Sequence, residues 1–196
     1  MRTANYELDA TLYKLLQVAL EQTLKACAPS VPWVTSKVET LDELRHEHCI
    51  VLTISSFKFK IMCLLHHSMD AANRTFVAEA TATKLEDLEE SVYTDYLMEM
   101  SNSFCGTFKR HLQGSCPPLG MSTPNFLESA SLNFDHIKLA HCVHVRAQSA
   151  SGASSLFAAS ALVIARDEGD FTLLPYQDYA SEMDSAADSS GELELF

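Results

Sequence analysis

The sequence predicts an α+β fold: one mainly antiparallel sheet with helices packed on one face. Three observations predict it. Apolar residues recur at helical spacing over 7–27 and 85–112. Strand-like segments come in neighbouring pairs that a short link can join. The order along the chain is helix, strands, helix, long helix, strands, rather than strict strand–helix alternation.

The first helix is expected over 7–27, where Leu8, Leu12, Leu15, Leu16, Ala19 and Leu20 share a face and Pro29 and Pro32 end it. Trp33 to Glu39 reads as a short strand. Residues 49–55 and 57–65 read as two strands. In the second, Phe57, Phe59 and Ile61 fall on one face and Lys58 and Lys60 on the other, and Ser55-Ser56 makes an antiparallel hairpin. A short helix over 68–80 has Ser68 as its cap. The long helix, Leu85 to Leu112, buries Tyr93, Leu97, Met100, Phe104 and Phe108 and stops near Gly114, before Cys116-Pro117-Pro118. Residues 119–130 read as a loop with extended pieces. Residues 136–147 and 155–165 read as two more strands in a hairpin. The last is apolar on both faces, so a second copy of the chain or another part of this one should cover the side away from the helices.

At 196 residues the chain divides into one domain, 1–175, and an acidic tail, 176–196. The tail has six acids from Gln177 onward and no Lys or Arg, so composition predicts disorder. Glu192 to Phe196 alternates acid and hydrophobe, which suits a solvated tail first and a docking peptide second. A net charge of −12 argues against nucleic acid as a partner, because phosphate neutralisation needs clustered Lys and Arg. No apolar run is long enough to insert in a membrane, and no secretory signal opens the chain, so a cytoplasmic protein is expected. Six cysteines without a C-x-x-C pair read as reduced thiols.

Few motifs carry chemistry. His46, His48, His141 and His144 invite a zinc reading, but the ligand spacings of zinc sites are missing, and His141 and His144 fall on opposite strand faces. They read as surface or core histidines. There is no G-x-S-x-G elbow and no phosphate-binding glycine loop. What stands out is Asp95, Glu99, Asn102 and Gly106. Their spacing of i, i+4, i+7 and i+11 places all four on one stripe of the long helix, roughly opposite its apolar face. Asn and Gly in mid-helix together cost roughly 1–2 kcal/mol against Ala. Their presence on the exposed stripe points to something that approaches closely.

Asp95-x₃-Glu99-x₂-Asn102, with Gly106 and the Pro of Ser122-Thr123-Pro124, resembles the signature of the chemotaxis phosphatases CheC, CheX and FliY. The order of elements over about 5–165 is similar too. The first helix has no second E-x₂-N, with residues such as Tyr13 and Leu16 at the matching positions, so the chain resembles the one-site CheX form. The resemblance implies a homodimeric protein phosphatase that hydrolyses the aspartyl phosphate of a CheY-like response regulator. It implies Asn102 aiming the attacking water, Glu99 pairing with a lysine of the regulator, and Asp95, Gly106 and Pro124 in support. No cofactor of its own is implied, since the regulator would hold the Mg²⁺. The alternative is a non-catalytic module of the same fold that binds a regulator or a flagellar-switch component.

Overall fold

The computed structural model describes residues 2–44, 46–116, 118–134, 136–150, 155–167, 169–174 and 176; for 2–6 and 155 only the backbone is described. In chain order the elements are α1 (Arg2–Cys27), β1 (Trp33–Val38), β2 (His48–Ser55), β3 (Phe59–His67), α2 (Ala71–Ala80), α3 (Glu90–Leu112), β4 (Gly120–Met121), β5 (Asn125–Glu128), β6 (His141–Ser149) and β7 (Ser155–Ala165). The strands form one sheet in the order β1-β6-β7-β3-β2-β4, with β5 also on the outer side of β2, and every pairing is antiparallel.

Strand alternation divides the sheet into two faces. Ile50, Leu52 and Ile54 of β2, Phe59, Ile61, Cys63 and Leu65 of β3, Val143, Val145 and Ala147 of β6, and Phe157, Ala159, Ala161 and Val163 of β7 face the helices. They pack with the buried stripes of α1 (Leu12, Leu15, Leu16, Ala19, Leu20, Leu24) and α3 (Tyr93, Leu97, Met100, Phe104, Phe108). The other face carries Cys49, Val51, Leu64 and Leu162 under Leu132, Phe134 and Leu139, and Val38 and Ala158 under Leu41 and Leu44. The apolar second face of β7 is thus covered by the chain's own Leu41, Leu44, Leu132, Phe134 and Leu139, and a second copy is not needed to bury it.

The expected α+β layering is present. Several local expectations are corrected. Residues 85–87 form a separate 3-10 turn, and Leu88 is extended with ψ 99°, so the long helix begins at Glu90 and not at Leu85. The cap of α2 is Asp70, whose carboxylate accepts from the Asn73 N–H at 2.9 Å; Ser68 lies outside the helix. A carboxylate suits that position because the first turn leaves N–H groups unbonded and carries a partial positive charge. Phe57 does not share the buried face of Phe59: it sits in the turn before β3 and is 76% exposed. The strand expected over 136–147 is shifted to His141–Ser149.

After β7 the chain returns to the core. Phe171 is buried, edge-to-face with Phe59 at 4.9 Å. The Leu174 N–H donates to Ser115 Oγ at 3.0 Å, and Lys14 Nζ lies 6.0 Å from the Tyr176 ring. Of the tail expected to be disordered, 176–196, only Tyr176 is among the described residues; 177–196 lies outside them.

Candidate functional site

Helix α3 is held from below by large side chains. Tyr93, Leu97, Phe104, Phe108 and Leu112 are fully buried. Tyr93 also donates its hydroxyl to the Ser68 carbonyl at 2.8 Å, and the Arg74 guanidinium lies 5.9 Å from its ring. Ser101, fully buried, satisfies its hydroxyl by donating to Leu97 O at 2.7 Å, as a polar group out of water must. Cys105 is buried beside Cys63, whose thiol pKa is pushed well up, first by burial.

These anchors fix the helix's rotation, so the side opposite faces out. At about 100° per residue the mean direction of Asp95, Glu99, Asn102 and Gly106 is opposite the buried stripe. Asp95 and Glu99 are exposed, and Asn102 and Gly106 are half-buried. Among the described residues, no side-chain hydrogen bond or ion pair engages Asp95, Glu99 or Asn102. A Cβ on Gly106 would meet only Arg110 Nη1, at 4.0 Å. The guanidinium of Arg110 donates through Nη2 to Thr107 Oγ1 at 2.8 Å. Among the described residues, no packing constraint requires a glycine at 106.

Pro124 is half-buried in the link between β4 and β5. The Ser122 N–H donates to Thr53 O at 2.9 Å, and the Thr53 N–H donates to Ser122 Oγ at 2.9 Å. The link is therefore fastened to β2, the strand that α3 also covers. No hydrogen bond joins Pro124 to the stripe among the described residues.

The first helix offers no second copy of the stripe. Leu16, expected at a position matching the stripe, is fully buried and so belongs to the apolar face of α1 instead. Superposing the buried stripes, Leu12 and Leu16 on Tyr93 and Leu97, sets Lys14, Val18, Glu21 and Lys25 at the places of Asp95, Glu99, Asn102 and Gly106. Glu21 there accepts from Gln17 Nε2 at 2.9 Å and from the Thr35 hydroxyl, so it is committed within the fold. This match was hidden in the sequence because an apolar helix face can be read in more than one register until its burial is known.

The histidines separate by face. His141, toward the helices, lies 2.7 Å from the Asp9 carboxylate, while His144, on the far face, lies 2.7 Å from Ser160 Oγ. His46 and His48 likewise contact opposite faces, stacking with His66 and His67 respectively. The six thiols are free, with Cys49, Cys63 and Cys105 buried.

The stripe's chemistry is that of acceptors and one amide on a convex helix surface. Carboxylates accept hydrogen bonds and pair with cations, and a carboxamide both donates and accepts. Among the described residues, no nucleophile with an adjacent base is assembled on the stripe.

Comparison with known proteins agrees on architecture. No family model matches the chain, and no curated protein matches it by sequence. Solved structures do. A chain of the CheX–CheY–BeF3–Mg²⁺ complex from Borrelia burgdorferi superposes with a TM-score of 0.60 at 8% identity, covering 77% of this chain and 96% of that one. Chemotaxis protein CheX from Vibrio vulnificus gives 0.58 at 16% identity, with 78% and 97% covered. The middle domain of FliM from H. pylori gives 0.52 at 7% identity, with 83% and 92% covered. With its order of helices and strands, its single antiparallel sheet and these superpositions, the chain has the α+β fold of the CheX and CheC-like chemotaxis proteins.

Proposed function

We propose that this protein is a phosphatase that accelerates hydrolysis of the aspartyl phosphate on a CheY-like response regulator. The carrying observation is that Glu99 and Asn102 stand outward on α3, one turn apart and without side-chain partners among the described residues, on a fold shared with a CheX that is solved bound to CheY. An acyl phosphate needs little covalent help; positioning of water and tolerance of charge suffice. In this reading the Asn102 amide enters the regulator's site and aims the water, accepting from it and donating to a neighbour. A lysine there could not accept, and an aspartate would repel the phosphoryl group.

Glu99, one turn earlier, pairs with a lysine of the regulator and fixes the register. A charge-assisted bond shielded from water is worth about 1.5–3 kcal/mol. Gly106 leaves space for the partner's backbone, and Asp95 and Pro124 frame the contact. The Mg²⁺ is the regulator's. The protein acts in the cytoplasm and, as in one-site relatives, as a homodimer.

The test is the decay of phosphorylated receiver domains of the host with and without this protein. Faster decay that is lost in Asn102→Ala supports the reading; unchanged decay for every receiver that binds it sinks it. The fold likeness to the FliM middle domain favours a second reading, a binding module without catalysis. That reading wins if a partner is bound equally well after loss of both Glu99 and Asn102 and no phosphate is released.

A further inference from the structure

Five of the chain's eight histidines gather where β2 and β3 end. On the helix side, His48 and His67 are paired across the two strands, with ring centroids 5.7 Å apart. Phe126 of β5 closes this pair, 5.2 Å from one ring and 5.3 Å from the other. On the far side, His66 stacks with His46 at 6.5 Å and shares Ser160 Oγ with His144, at 2.8 and 2.7 Å. A cavity of about 460 Å³ beside His46 and His66 is walled by Leu44, Ser129, Leu132 and Phe134.

One stretch of chain, from Phe126 to Phe134, thus seals both pairs. It leaves β2 through a four-residue edge strand, with three of the four residues exposed, and such an element opens at lower cost than the central strands.

Histidine is a poor filler for this place. His67 is fully buried, and among the described residues neither ring nitrogen lies in hydrogen-bond geometry with a partner; His48 Nδ1 is also buried without one. The Ser68 backbone favours a charged His67, but burial and the neighbouring histidines oppose it more strongly. A phenylalanine would fill the same space without stranding polar atoms.

We propose that the histidine cluster is an acid-responsive latch: protons taken up by His46, His66 and His67 release the 126–134 strap from β2. The release carries away the β5 end of the link that holds Pro124. This inference does not depend on the phosphatase reading.

The charges around the cluster support the direction. Burial lowers the pKa of His66 and of His67 to about 3 and of His46 to about 4. Like charge adds to this: His46, His144 and His67 face His66, and His48 and His46 face His67. Arg146 also disfavours a charged His46, while Asp70 partly opposes it. His144 is lowered by burial, with Glu43 and Glu39 opposing. Tyr93, which packs on His67 at 6.2 Å, stays protonated because burial raises its pKa, so it brings no counter-charge.

The sign follows. His46, His66 and His67 are neutral in the closed form, and in this proposal become ordinary histidines in the open one. Closure is fully favoured above about pH 6.5 and is progressively lost as pH falls below it. Each proton gained on opening multiplies the opening constant by up to tenfold per pH unit.

Hydrogen exchange read by mass spectrometry on the full chain, between pH 7.5 and 5.0 and corrected for intrinsic exchange, tests this. Below pH 6.5, opening constants for amides of 126–134 are expected to rise at least tenfold per pH unit while those of β6 and β7 rise less. His67→Phe and His66→Asn should each flatten that slope. Equal slopes in the strap and in β6–β7, or slopes untouched by both substitutions, overturn the proposal. If the variants do not fold, ring-proton NMR of the unaltered protein decides: His66 and His67 titrating near 6.5 in the folded state overturn it, and resonances that stay neutral until the strap opens support it.

Discussion

Ser122 and Thr53 exchange two hydrogen bonds, Ser122 N–H to Thr53 O and Thr53 N–H to Ser122 Oγ, both 2.9 Å. A serine hydroxyl here stands in for the backbone carbonyl that another strand would supply, and so extends the sheet edge by one rung into the link that carries Pro124. Ser122→Ala should remove one of the two bonds. Because the site is exposed, the freed N–H finds water, and the cost stays near 0.5–1.5 kcal/mol. Faster amide exchange at Thr53, with exchange at β3 unchanged, is the expected result.

Asn102 and Glu99 lack side-chain partners among the described residues, so their removal should cost the fold little. Glu99→Ala is expected to change unfolding free energy by under about 0.5 kcal/mol, and Asn102→Ala to raise it by about 0.5 kcal/mol because alanine is the better helix former. In the phosphatase assay, loss of the water-aiming amide should cost roughly 10²-fold in turnover, by analogy with removing one positioned hydrogen-bonding group elsewhere. Glu99→Ala should act mainly on regulator affinity. Urea unfolding beside a single-turnover assay separates the two effects.

Gly106→Ala should stabilise the protein. A mid-helix glycine costs roughly 0.5–1 kcal/mol against alanine, and the new methyl would meet only Arg110 Nη1 at 4.0 Å. If the glycine serves a partner's approach, the same substitution weakens partner binding while the melting temperature rises. A variant that is both more stable and binds equally well would remove Gly106 from the site.

Overall stability should fall below neutral pH. Buried His66, His67 and His46 have pKa values lowered to about 3, 3 and 4. Their contribution is complete above pH 6.5, where the unfolded chain is neutral too, and declines as the unfolded chain takes up protons. At pH 5.5 each should subtract about 1 kcal/mol. Urea midpoints measured at pH 7.5, 6.5 and 5.5 check this, and His67→Phe should lessen the decline.

Asp70→Ala should loosen α2. The carboxylate accepts from the Asn73 N–H at 2.9 Å, and loss of such a cap costs about 0.5–2 kcal/mol. Ser68→Ala should cost less, because its side chain does not cap the helix. Thermal melts of the two variants side by side give the comparison.

Periodicity was enough to determine the layering and the orientation of α3. The spacing of Tyr93, Leu97, Phe104 and Phe108 fixes which side is buried, and with it that Glu99 and Asn102 face out, since a helix has one rotation that hides its apolar stripe. Period-two alternation likewise marked the strands at the centre of the sheet. Tertiary structure decided what has no local signal. Whether Asp70 or Ser68 caps α2 depends on where the chain leaves β3. Which α1 residues match the α3 stripe depends on burial. His46, His48, His66, His67 and His144 lie up to 98 positions apart in sequence and meet only because β2, β3, β6 and β7 are neighbours in the sheet. Local sequence sets which face of an element is apolar; long-range strand pairing sets which faces meet, and that pairing is paid for by the whole core rather than by the residues it brings together.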